Sequence, residues 1–526
     1  MPRPAAHPLA PTPSHAPAPI PIEHRLLTGG PIRTALALAS GLVAAAAMWA
    51  VLAAVILSGA THARTQFDQD RFHLRVIADF SAALPAPNLA DYPSATTPGF
   101  HLLLAAVHRW LTADTTTLRL LAALLPAAML GLLVGWLAPR RGTLAALALA
   151  LPLGCCMYVV QAGAYLLPDN AGWLGVLVVL LLALQGPPDR AAHGSGRWWG
   201  GWWGMGGWGG WYTLLGLALF LLVMCRQIHL WVLAPALVGA FFAGRVGLGD
   251  TRRADASLAA ARFAWLIPVD GLTGGLRRVG VVLAAAVPAV AALTVLIITW
   301  RGLTPPGFRF AQAQAGDEDA TSVTGLSPST PAFILALLGV YGVFFLAWLW
   351  PRIQRNTVRW GLVLATMLAA AAVALAVPTD HFPRPRIGGL WNLARATEPL
   401  GLVVTWFGHR TSLLIVALAA LGGAWLALWT QALPRRTALI LLAALAGFVA
   451  AMTCQALSWQ RYFEPLLLVW LALCAGCLPA QAAEAVQWAA PAGRWPLASV
   501  RTWQVVGPVV LGVVLAALTV GSFVGS

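Results

Sequence analysis

Stretches of about 20 apolar residues recur along almost the whole chain, separated by short polar connections. Only 10% of the 526 residues are charged and 59% are hydrophobic, whereas a soluble domain carries about 25% charged residues. A length that would otherwise suggest several soluble domains therefore indicates one large bundle. The pattern predicts an all-α, polytopic integral membrane protein.

The apolar runs predict about 11–13 transmembrane helices, of which 211–224 and 464–478 have the weakest signal. Residues 1–33, rich in proline, alanine and histidine, are predicted to form a disordered cytoplasmic tail before a transmembrane domain at 34–526. The predicted spans are 34–59, 115–137, 143–160, 171–185, 211–224, 229–244, 279–300, 331–350, 360–377, 412–430, 437–457, 464–478 and 504–524.

Arginine supplies all of the positive charge, because the sequence contains no lysine, and the formal net charge is +15. With a cytoplasmic N-terminus, 20 arginines fall inside and 13 outside, whereas 6 acidic residues fall inside and 12 outside. This bias follows the positive-inside rule, so the basic character indicates membrane orientation and not nucleic-acid binding. The extracytoplasmic loops are then 60–114, which we expect to be helical, 161–170, 301–330, 378–411 and 458–463.

The remaining motifs give little chemistry. The six cysteines lie in or beside apolar runs, which does not indicate a disulfide framework, and we interpret the CxxC pair Cys474 and Cys477 as packing residues. Residues 197–212 are mostly Trp and Gly, which is typical of an interfacial loop. We find no phosphate-binding loop and no zinc motif, so we predict no cofactor and no metal site.

The most polar segment, residues 64–101, follows the first predicted span and contains Asp68, Asp70 and His73. In a helix over 66–81, Asp70 and His73 would be three residues apart and share a face. A carboxylate in a pocket beside the membrane can act as a general base for a hydroxyl group. Asp70, Asp68 and His73 are therefore candidate catalytic residues, and the alternative interpretation is a run of solvated loop charges.

Two prolines and a glycine make residues 91–99 a turn and not a helix. Because such a turn presents hydroxyl groups and backbone donors, Tyr92, Thr96 and Thr97 are candidate substrate-binding residues. The alternative is a simple entry into the next helix, with Thr97 as N-cap and Pro98 at the first helical position.

Further candidates lie downstream. Asp169 precedes a predicted span and either orients a substrate or caps the helix. Arg226 and Gln227 stand between two apolar runs, and Arg461 lies in an outer loop, where we expect Glu464 to pair with it. A guanidinium group matches two phosphate oxygens, so Arg226, Gln227 and Arg461 are candidate phosphate-binding residues. The alternative for Arg226 is snorkelling to lipid headgroups.

Two outer loops carry charge clusters. We interpret the acidic run at 316–319 as solvated charge, with a divalent cation site as the alternative. The loop 378–411 is positive and could line a site for an anionic lipid carrier.

Taken together, these motifs resemble those of GT-C glycosyltransferases, polytopic enzymes that use polyprenyl-phosphate sugars, and most of all the dolichyl-phosphate-glucose α-1,2-glucosyltransferase family with its bacterial relatives. In that family the first luminal loop has an acidic pair followed by Phe-His and a later Thr-Thr-Pro-Gly turn, similar to 70–73 and 95–99 here. An Arg-Gln pair opening a later span resembles Arg226-Gln227, and a Tyr-x-x-Asp-like element resembles the region of Asp169. The stretch 460–465 resembles a late outer motif of the bacterial relatives.

One departure concerns the acidic pair, which is adjacent in the family but divided here by Gln69. Counting back from His73, Gln69 matches the first acid and Asp70 the second. Either Asp70 or Asp68 is therefore the expected base, with a slight preference for Asp70.

The resemblance implies an inner-membrane hexosyltransferase acting on the extracytoplasmic face without a cofactor. Its expected partners are a polyprenyl-phosphate-linked sugar donor, a glycan or lipid-linked acceptor, and membrane lipids. Asp70 or Asp68 would take the acceptor hydroxyl proton during inversion at the anomeric carbon. The alternative is a multi-span transporter or lipid-linked-glycan flippase, which would use charges near the bilayer midplane.

Overall fold

The computed structural model describes residues 31–187, 208–243, 271–314, 325–379, 389–406, 408–455, 459–479 and 497–524. Each predicted span coincides with one helix or with two or three consecutive helices of a largely α-helical bundle. A π-helix, Gln69–Leu74, and 3₁₀-helices at Gln227–Val232, Val343–Phe345 and Glu398–Leu400 interrupt the α-helices. The α-helices are Pro31–Leu57, Ala63–Asp68, Arg75–Ala83, Gly99–Trp110, Thr115–Ala122, Leu124–Arg141, Thr143–Gly154, Met157–Ala164, Asp169–Gln185, Trp208–Cys225, Leu233–Phe241, Gly271–Trp300, Pro306–Gln314, Thr330–Gly342, Leu346–Gln354, Trp360–Leu375, Leu390–Ala396, Leu413–Ala432, Arg435–Thr453, Gln460–Cys477 and Leu497–Val524.

Seven helical segments of the described chain are long and apolar enough to cross a membrane alone. The pair Thr143–Gly154 and Met157–Ala164, bent by 70° at its break, would supply an eighth. Shorter apolar helices, such as Asp169–Gln185 and Trp360–Leu375, lie among them. The chain is therefore a multi-pass membrane protein. The seven segments are Thr34–Leu57, Thr115–Arg141, Gly271–Trp300, Thr330–Gln354, Leu413–Ala432, Arg435–Thr453 and Val500–Val524.

The helix Gln460–Cys477, which we call the central helix, explains one weak sequence signal. Every residue from Tyr462 to Gly476 is buried, and Trp470 Nε1 donates a hydrogen bond to the carbonyl of Leu441 at 2.9 Å. Because this helix contacts protein on all sides, its sequence tolerates polar residues that a lipid-facing helix would not.

Glycine allows two pairs of long helices to approach closely. A Cβ atom on Gly41 of the first helix would lie 2.7 Å from the carbonyl oxygen of Gly131, and one on Gly422 would clash with the carbonyl oxygen of Leu335. Small residues at such crossings let helix backbones approach closely in membranes, so larger residues at these positions would push the helices apart.

The ends of several elements differ from the sequence prediction. The first helix begins at Pro31, inside the predicted tail, and 208–212 of the predicted interfacial loop belong to Trp208–Cys225. Within the predicted loop 378–411, strands Val403–Trp406 and His409–Ser412 form an antiparallel hairpin with Val403 opposite Ser412. Residues 1–30, 197–207 and 316–319 lie outside the described residues.

Candidate functional site

The polar segment after the first helix is one helical rod with a π-turn in its middle. Ala63–Asp68 and Arg75–Ala83 are α-helical, and Gln69–Leu74 is π-helical. His62 caps the start of this rod, because its Nδ1 accepts a hydrogen bond from the backbone N–H of Thr65 at 3.3 Å. A π-turn adds one residue to the helical repeat, and such turns are frequent at functional sites.

This π-turn decides which acid faces the interior. Asp68 and His73, five residues apart, both line a cavity of about 330 Å³, whereas Asp70 is exposed and lies outside the cavity lining. In a π-helix the hydrogen bonds join residues five apart, so Asp68 and His73 come to lie above one another. The expectation that Asp70 shares a face with His73 assumed an α-helix and does not hold.

Gln69 is the first residue of the π-turn and is fully buried. Its Oε1 accepts hydrogen bonds from Arg119 Nε at 2.8 Å and from the backbone N–H of Leu166 at 3.2 Å, and its Nε2 donates to Asp70 Oδ1 at 2.7 Å. Gln69 thus fixes the segment that carries Asp68 to the segment that leads into Asp169.

Arg461, at the start of the central helix, pairs with Asp68. Its Nη1 lies 3.0 Å from Asp68 Oδ2, with the two side chains 28% and 21% exposed. The guanidinium carbon lies 4.2 Å from the ring centre of Trp459 and 4.9 Å from that of Tyr462. Cation–π contact and the ion pair together hold the Arg461 side chain at the cavity wall.

Glu464 does not pair with Arg461, so that expectation was wrong. Its side chain points into the bundle, where it accepts hydrogen bonds from Tyr341 Oη at 2.8 Å and Gln460 Nε2 at 2.6 Å. Gln460 Oε1 in turn accepts from the backbone N–H of Leu390 at 3.0 Å. Buried carboxyl groups need such partners, and this network turns Glu464 away from the cavity.

Asp169 and Arg226 form the second ion pair of the cavity. Their side chains are only 15% and 12% exposed. Asp169 is the first residue of Asp169–Gln185, where the helix dipole favours a negative charge. The guanidinium carbon of Arg226 lies 4.9 Å from the ring centre of Tyr462, which Arg461 also contacts. Two cations and two carboxylates therefore meet in one cavity.

Gln227 lines the same cavity, but its amide holds the 91–99 turn in place. Its Oε1 accepts from the N–H of Thr97 at 3.1 Å, and its Nε2 donates to the carbonyls of Ala95 at 2.6 Å and Leu303 at 3.2 Å. The hydroxyl of Thr97, which is buried, donates to the carbonyl of Val223 at 2.6 Å. The side-chain N–H and O–H donors of Gln227 and Thr97 are thus bonded to backbone carbonyls, which leaves none of these donors for a phosphate.

Of the three candidates in this turn, only Thr96 lines the cavity. Tyr92 is buried, and its hydroxyl donates to the carbonyl of Thr96 at 2.8 Å. The next helix begins at Gly99 with Pro98 in the N-cap position and without a side-chain cap. Thr97 is therefore not the N-cap residue of this helix, so that alternative was wrong.

Part of the cavity wall is apolar. Leu293 and Ile297 come from the helix Gly271–Trp300, and Leu303 and Phe308 from the segment that follows it. Ligand sites combine a few placed polar groups with apolar walls, so this cavity suits a ligand with a charged head and a hydrocarbon part. Other apolar lining residues include Phe72, Ala95, Leu167, Pro168, Ile228 and Ala451.

His73 lies behind Asp68 and contacts His101, a residue to which the sequence assigns no role. The Nδ1 of His73 lies 2.9 Å from the Nε2 of His101. Burial lowers the pKa of His73 from 6.5 to about 4, although the carboxylates of Asp68 and Asp169 oppose this shift. Burial also lowers the pKa of His101 well below its usual value. Both rings are therefore neutral at physiological pH.

The sequence analysis also missed Trp459 and Tyr462, although two aromatic residues flanking Arg461 within 459–462 were a visible signal. The described part of the loop 378–411 lies outside the cavity lining. Trp391 stacks on Phe333 with ring centres 4.3 Å apart, and Arg410 pairs with Glu398 at the surface. The described part of this loop therefore packs against the bundle instead of lining the site.

Comparisons with protein-family models, with curated proteins and with solved structures give no match. The function therefore has to be argued from the cavity and its residues.

Proposed function

We propose that this chain is an inner-membrane glycosyltransferase that moves a hexose or another monosaccharide from a polyprenyl-phosphate sugar to a hydroxyl group of a glycan or lipid-linked acceptor. The reaction takes place on the extracytoplasmic face, where the arginine bias puts the loops that form the cavity. One observation carries the proposal: Asp68, Arg226 and Arg461, far apart in sequence, line one cavity.

Asp68 supplies the general base of the proposed reaction. It is the acid of the first loop that lines the cavity, whereas Asp70 is exposed. The carboxylate takes the proton of the acceptor hydroxyl as its oxygen attacks the anomeric carbon, and the bond from that carbon to the phosphate oxygen breaks. A direct displacement of this kind inverts the anomeric centre.

Arg226 and Arg461 stabilise the leaving phosphate. Fixed positive groups directed at developing negative charge are among the largest contributions to catalysis. Both guanidinium groups lie over the ring of Tyr462 at 4.9 Å, which limits their movement. Each guanidinium group also pairs with a carboxylate, which holds it in position. An incoming phosphate therefore competes with these carboxylates for the two cations.

The apolar wall supports a lipid-linked donor. Leu293 and Ile297 belong to the helix Gly271–Trp300, of whose most apolar stretch only 22% is buried inside the protein. A helix that faces lipid on one side and the cavity on the other offers a prenyl chain an apolar surface next to the arginines.

The test uses a deletion strain complemented with the wild type, Asp68→Asn or Asp70→Asn, and mass spectrometry of envelope glycans and lipid-linked sugars. Asp68→Asn is expected to lower transfer by about 10²–10⁴-fold because it removes a general base. Asp70→Asn is the matched control and should retain wild-type transfer. An active Asp68→Asn variant would refute the carboxylate mechanism, and unchanged glycans in the deletion strain would refute the transferase.

A transporter or flippase is the second candidate, and the helix pair Thr143–Gly154 and Met157–Ala164 favours it. This pair bends by 70° at its break, and broken helices are typical of transporters. The charged residues that line the cavity, however, lie between the predicted spans and not near their midpoints. Flux of a fluorescent lipid-linked sugar across liposomes, abolished by Asp68→Asn without any glycan transfer, would establish this candidate instead.

A further inference from the structure

The charged groups that line the cavity cancel one another. Asp68 faces Arg461 and Asp169 faces Arg226, and among the described lining residues no other side chain carries a full charge while His73 is neutral. None of the four side chains is more than 28% exposed, so water screens their charges poorly. A bound phosphate therefore leaves an excess of negative charge in the cavity.

A group that gains a proton can compensate for this excess, which limits the candidates in the lining to the two carboxylates and His73. Each carboxylate contacts a guanidinium group, which favours its ionised form. His73 has no such cation in contact. The charged and titratable groups that face it from its own helical rod and from the elements around it are Asp68, Asp169, Arg226, Arg461 and His101.

One ring nitrogen of His73 is open to the cavity. Nδ1 faces inward, 2.9 Å from Nε2 of His101. Within the described residues Nε2 of His73 makes no hydrogen bond, and unlike Nδ1 of His101 it is not enclosed by protein. Because His73 lines the cavity, Nε2 is the nitrogen that a ligand can reach.

We infer that phosphate binding at Arg226 and Arg461 is coupled to the uptake of one proton by His73, which then becomes a third cation of the phosphate site. This inference rests on the proposed function, which supplies the phosphate. Asp68 stays ionised as the base, and His73 contacts the phosphate and not the acceptor hydroxyl.

His101 makes a cation at His73 tolerable. An imidazolium ion has two N–H donors and no acceptor, so Nδ1–H of protonated His73 donates to Nε2 of His101, whichever ring donates without the ligand. The Nε2–H group then donates to a phosphate oxygen. Nδ1 of His101 has no partner within the described residues in either case. The buried cation thus has an acceptor at each nitrogen, which a buried charge requires.

The coupling makes phosphate binding depend on pH. Without the ligand, burial holds the pKa of His73 at about 4. A negative charge in contact with Nε2 raises the proton affinity of His73 by about 100-fold, so the loaded site holds a proton at pH 6 and the free site does not. The phosphate therefore binds more tightly at lower pH, and this gain is lost as the pH rises through the pKa of the loaded form.

The test uses the full-length chain in lipid nanodiscs and citronellyl methyl phosphate, a diester with one negative charge throughout the range from pH 5 to pH 8. Calorimetry at pH 6 in two buffers of different ionisation enthalpy counts the protons taken up. We expect at least about 0.5 proton per bound probe, and a Kd about 10-fold weaker at pH 8 than at pH 5. Binding without proton uptake would overturn the inference and leave the proposed function standing.

Histidine variants identify the group that takes the proton. His73→Gln should bind the probe without proton uptake and with the same Kd at pH 5 and pH 8. His108→Gln is the matched control, because Nδ1 of His108 pairs with Ser81 Oγ at 2.9 Å outside the cavity lining, and it should keep the wild-type uptake. Uptake retained by His73→Gln would overturn the role of His73.

If His73→Gln does not fold, ¹⁵N-histidine NMR spectra of the wild type decide. Addition of the probe at pH 6 should convert one histidine to the imidazolium form, and the absence of a new imidazolium signal would overturn the inference.

Asp68→Asn tests the charge balance itself. This variant leaves the lining with one excess positive charge, so proton uptake at pH 6 should fall below about half of the wild-type value. Unchanged uptake would contradict the coupling.

The outcomes separate this inference from the proposed function. Proton-linked binding of the probe, together with unchanged glycans in the deletion strain, would support the inference and overturn only the transferase. No saturable binding at pH 5 would overturn the phosphate site, and the inference with it.

Discussion

The two ends of the bundle use arginine in different ways. At the cavity end, Arg226 and Arg461 pair with carboxylates and lie over Tyr462. At the opposite end, arginines bind the carboxyl ends of helices. Arg436 donates to the carbonyls of Ala183 at 2.8 Å and Leu184 at 2.9 Å.

Two further arginines of the opposite end do the same. Arg278 donates through Nε to the carbonyl of Ala240 at 2.7 Å, near the end of Leu233–Phe241, and Arg141 donates to the carbonyl of Leu478 after the central helix. The last carbonyls of a helix lack intrahelical partners and carry partial negative charge. An arginine at such a site supplies hydrogen bonds to the unpaired carbonyls of a helix end. An arginine that faces a carboxylate in a cavity, in contrast, remains available to an anionic ligand.

Among the arginine variants that compare the two ends, the largest effect should come from Arg461→Met, which removes one cavity cation and leaves Asp68 without its partner. We expect transfer activity to fall by about 10²–10³-fold, because a fixed charge near the leaving group is lost. Arg461→Lys, which keeps the charge but not the planar contact with Trp459, should lie between this variant and the wild type. Initial rates at saturating donor measure the effect. A fully active Arg461→Met variant would show that the arginine at the cavity end has no role in transfer, which would contradict the functional difference between the two ends.

Acid should destabilise the cavity end through His73. Its pKa is about 4 when folded and 6.5 when solvated, so the unfolded chain binds the proton first as the pH falls. The contribution of His73 is fully present above pH 6.5 and decreases by about 3 kcal/mol as the pH falls to 4. Thermal unfolding in detergent should depend less steeply on pH over this window for His73→Gln, and identical slopes would contradict the depressed pKa.

A smaller effect is expected from Arg436→Gln at the opposite end. Loss of its hydrogen bonds to helix-end carbonyls should lower the free energy of unfolding by about 1–2 kcal/mol. The transfer rate should not change, because Arg436 is remote from the cavity. Thermal unfolding and initial rates on one preparation measure both, and a rate loss as large as that of Arg461→Met would mean that the two ends are coupled.

The smallest effect should follow Glu398→Gln in the segment before the hairpin. Glu398 and Arg410 are 50% and 48% exposed, and exposed ion pairs contribute little in water. We expect a change below about 0.5 kcal/mol in the free energy of unfolding and an unchanged transfer rate. A larger loss in the same unfolding assay would show that this surface pair has a role that its exposure does not indicate.

The spans were predictable because an apolar run of about 20 residues is by itself sufficient to indicate a helix that crosses a membrane. Even the weak span at 464–478 coincides with a helix, and its lower apolar content is explained by burial inside protein. The choice between Asp68 and Asp70 was not predictable. It depends on the π-turn at Gln69, which is held by Arg119 and Leu166, 50 and 97 residues further along the chain.

The sequence by itself determined that the chain is a multi-span helical bundle with a polar first loop, because hydropathy and helical periodicity act over neighbouring residues. Only the tertiary structure decided which of those polar groups meet. Asp68 and Arg461 are 393 residues apart, and no local pattern specifies a contact over that distance. Such contacts depend on how the helices pack, which is set by many weak contacts acting together.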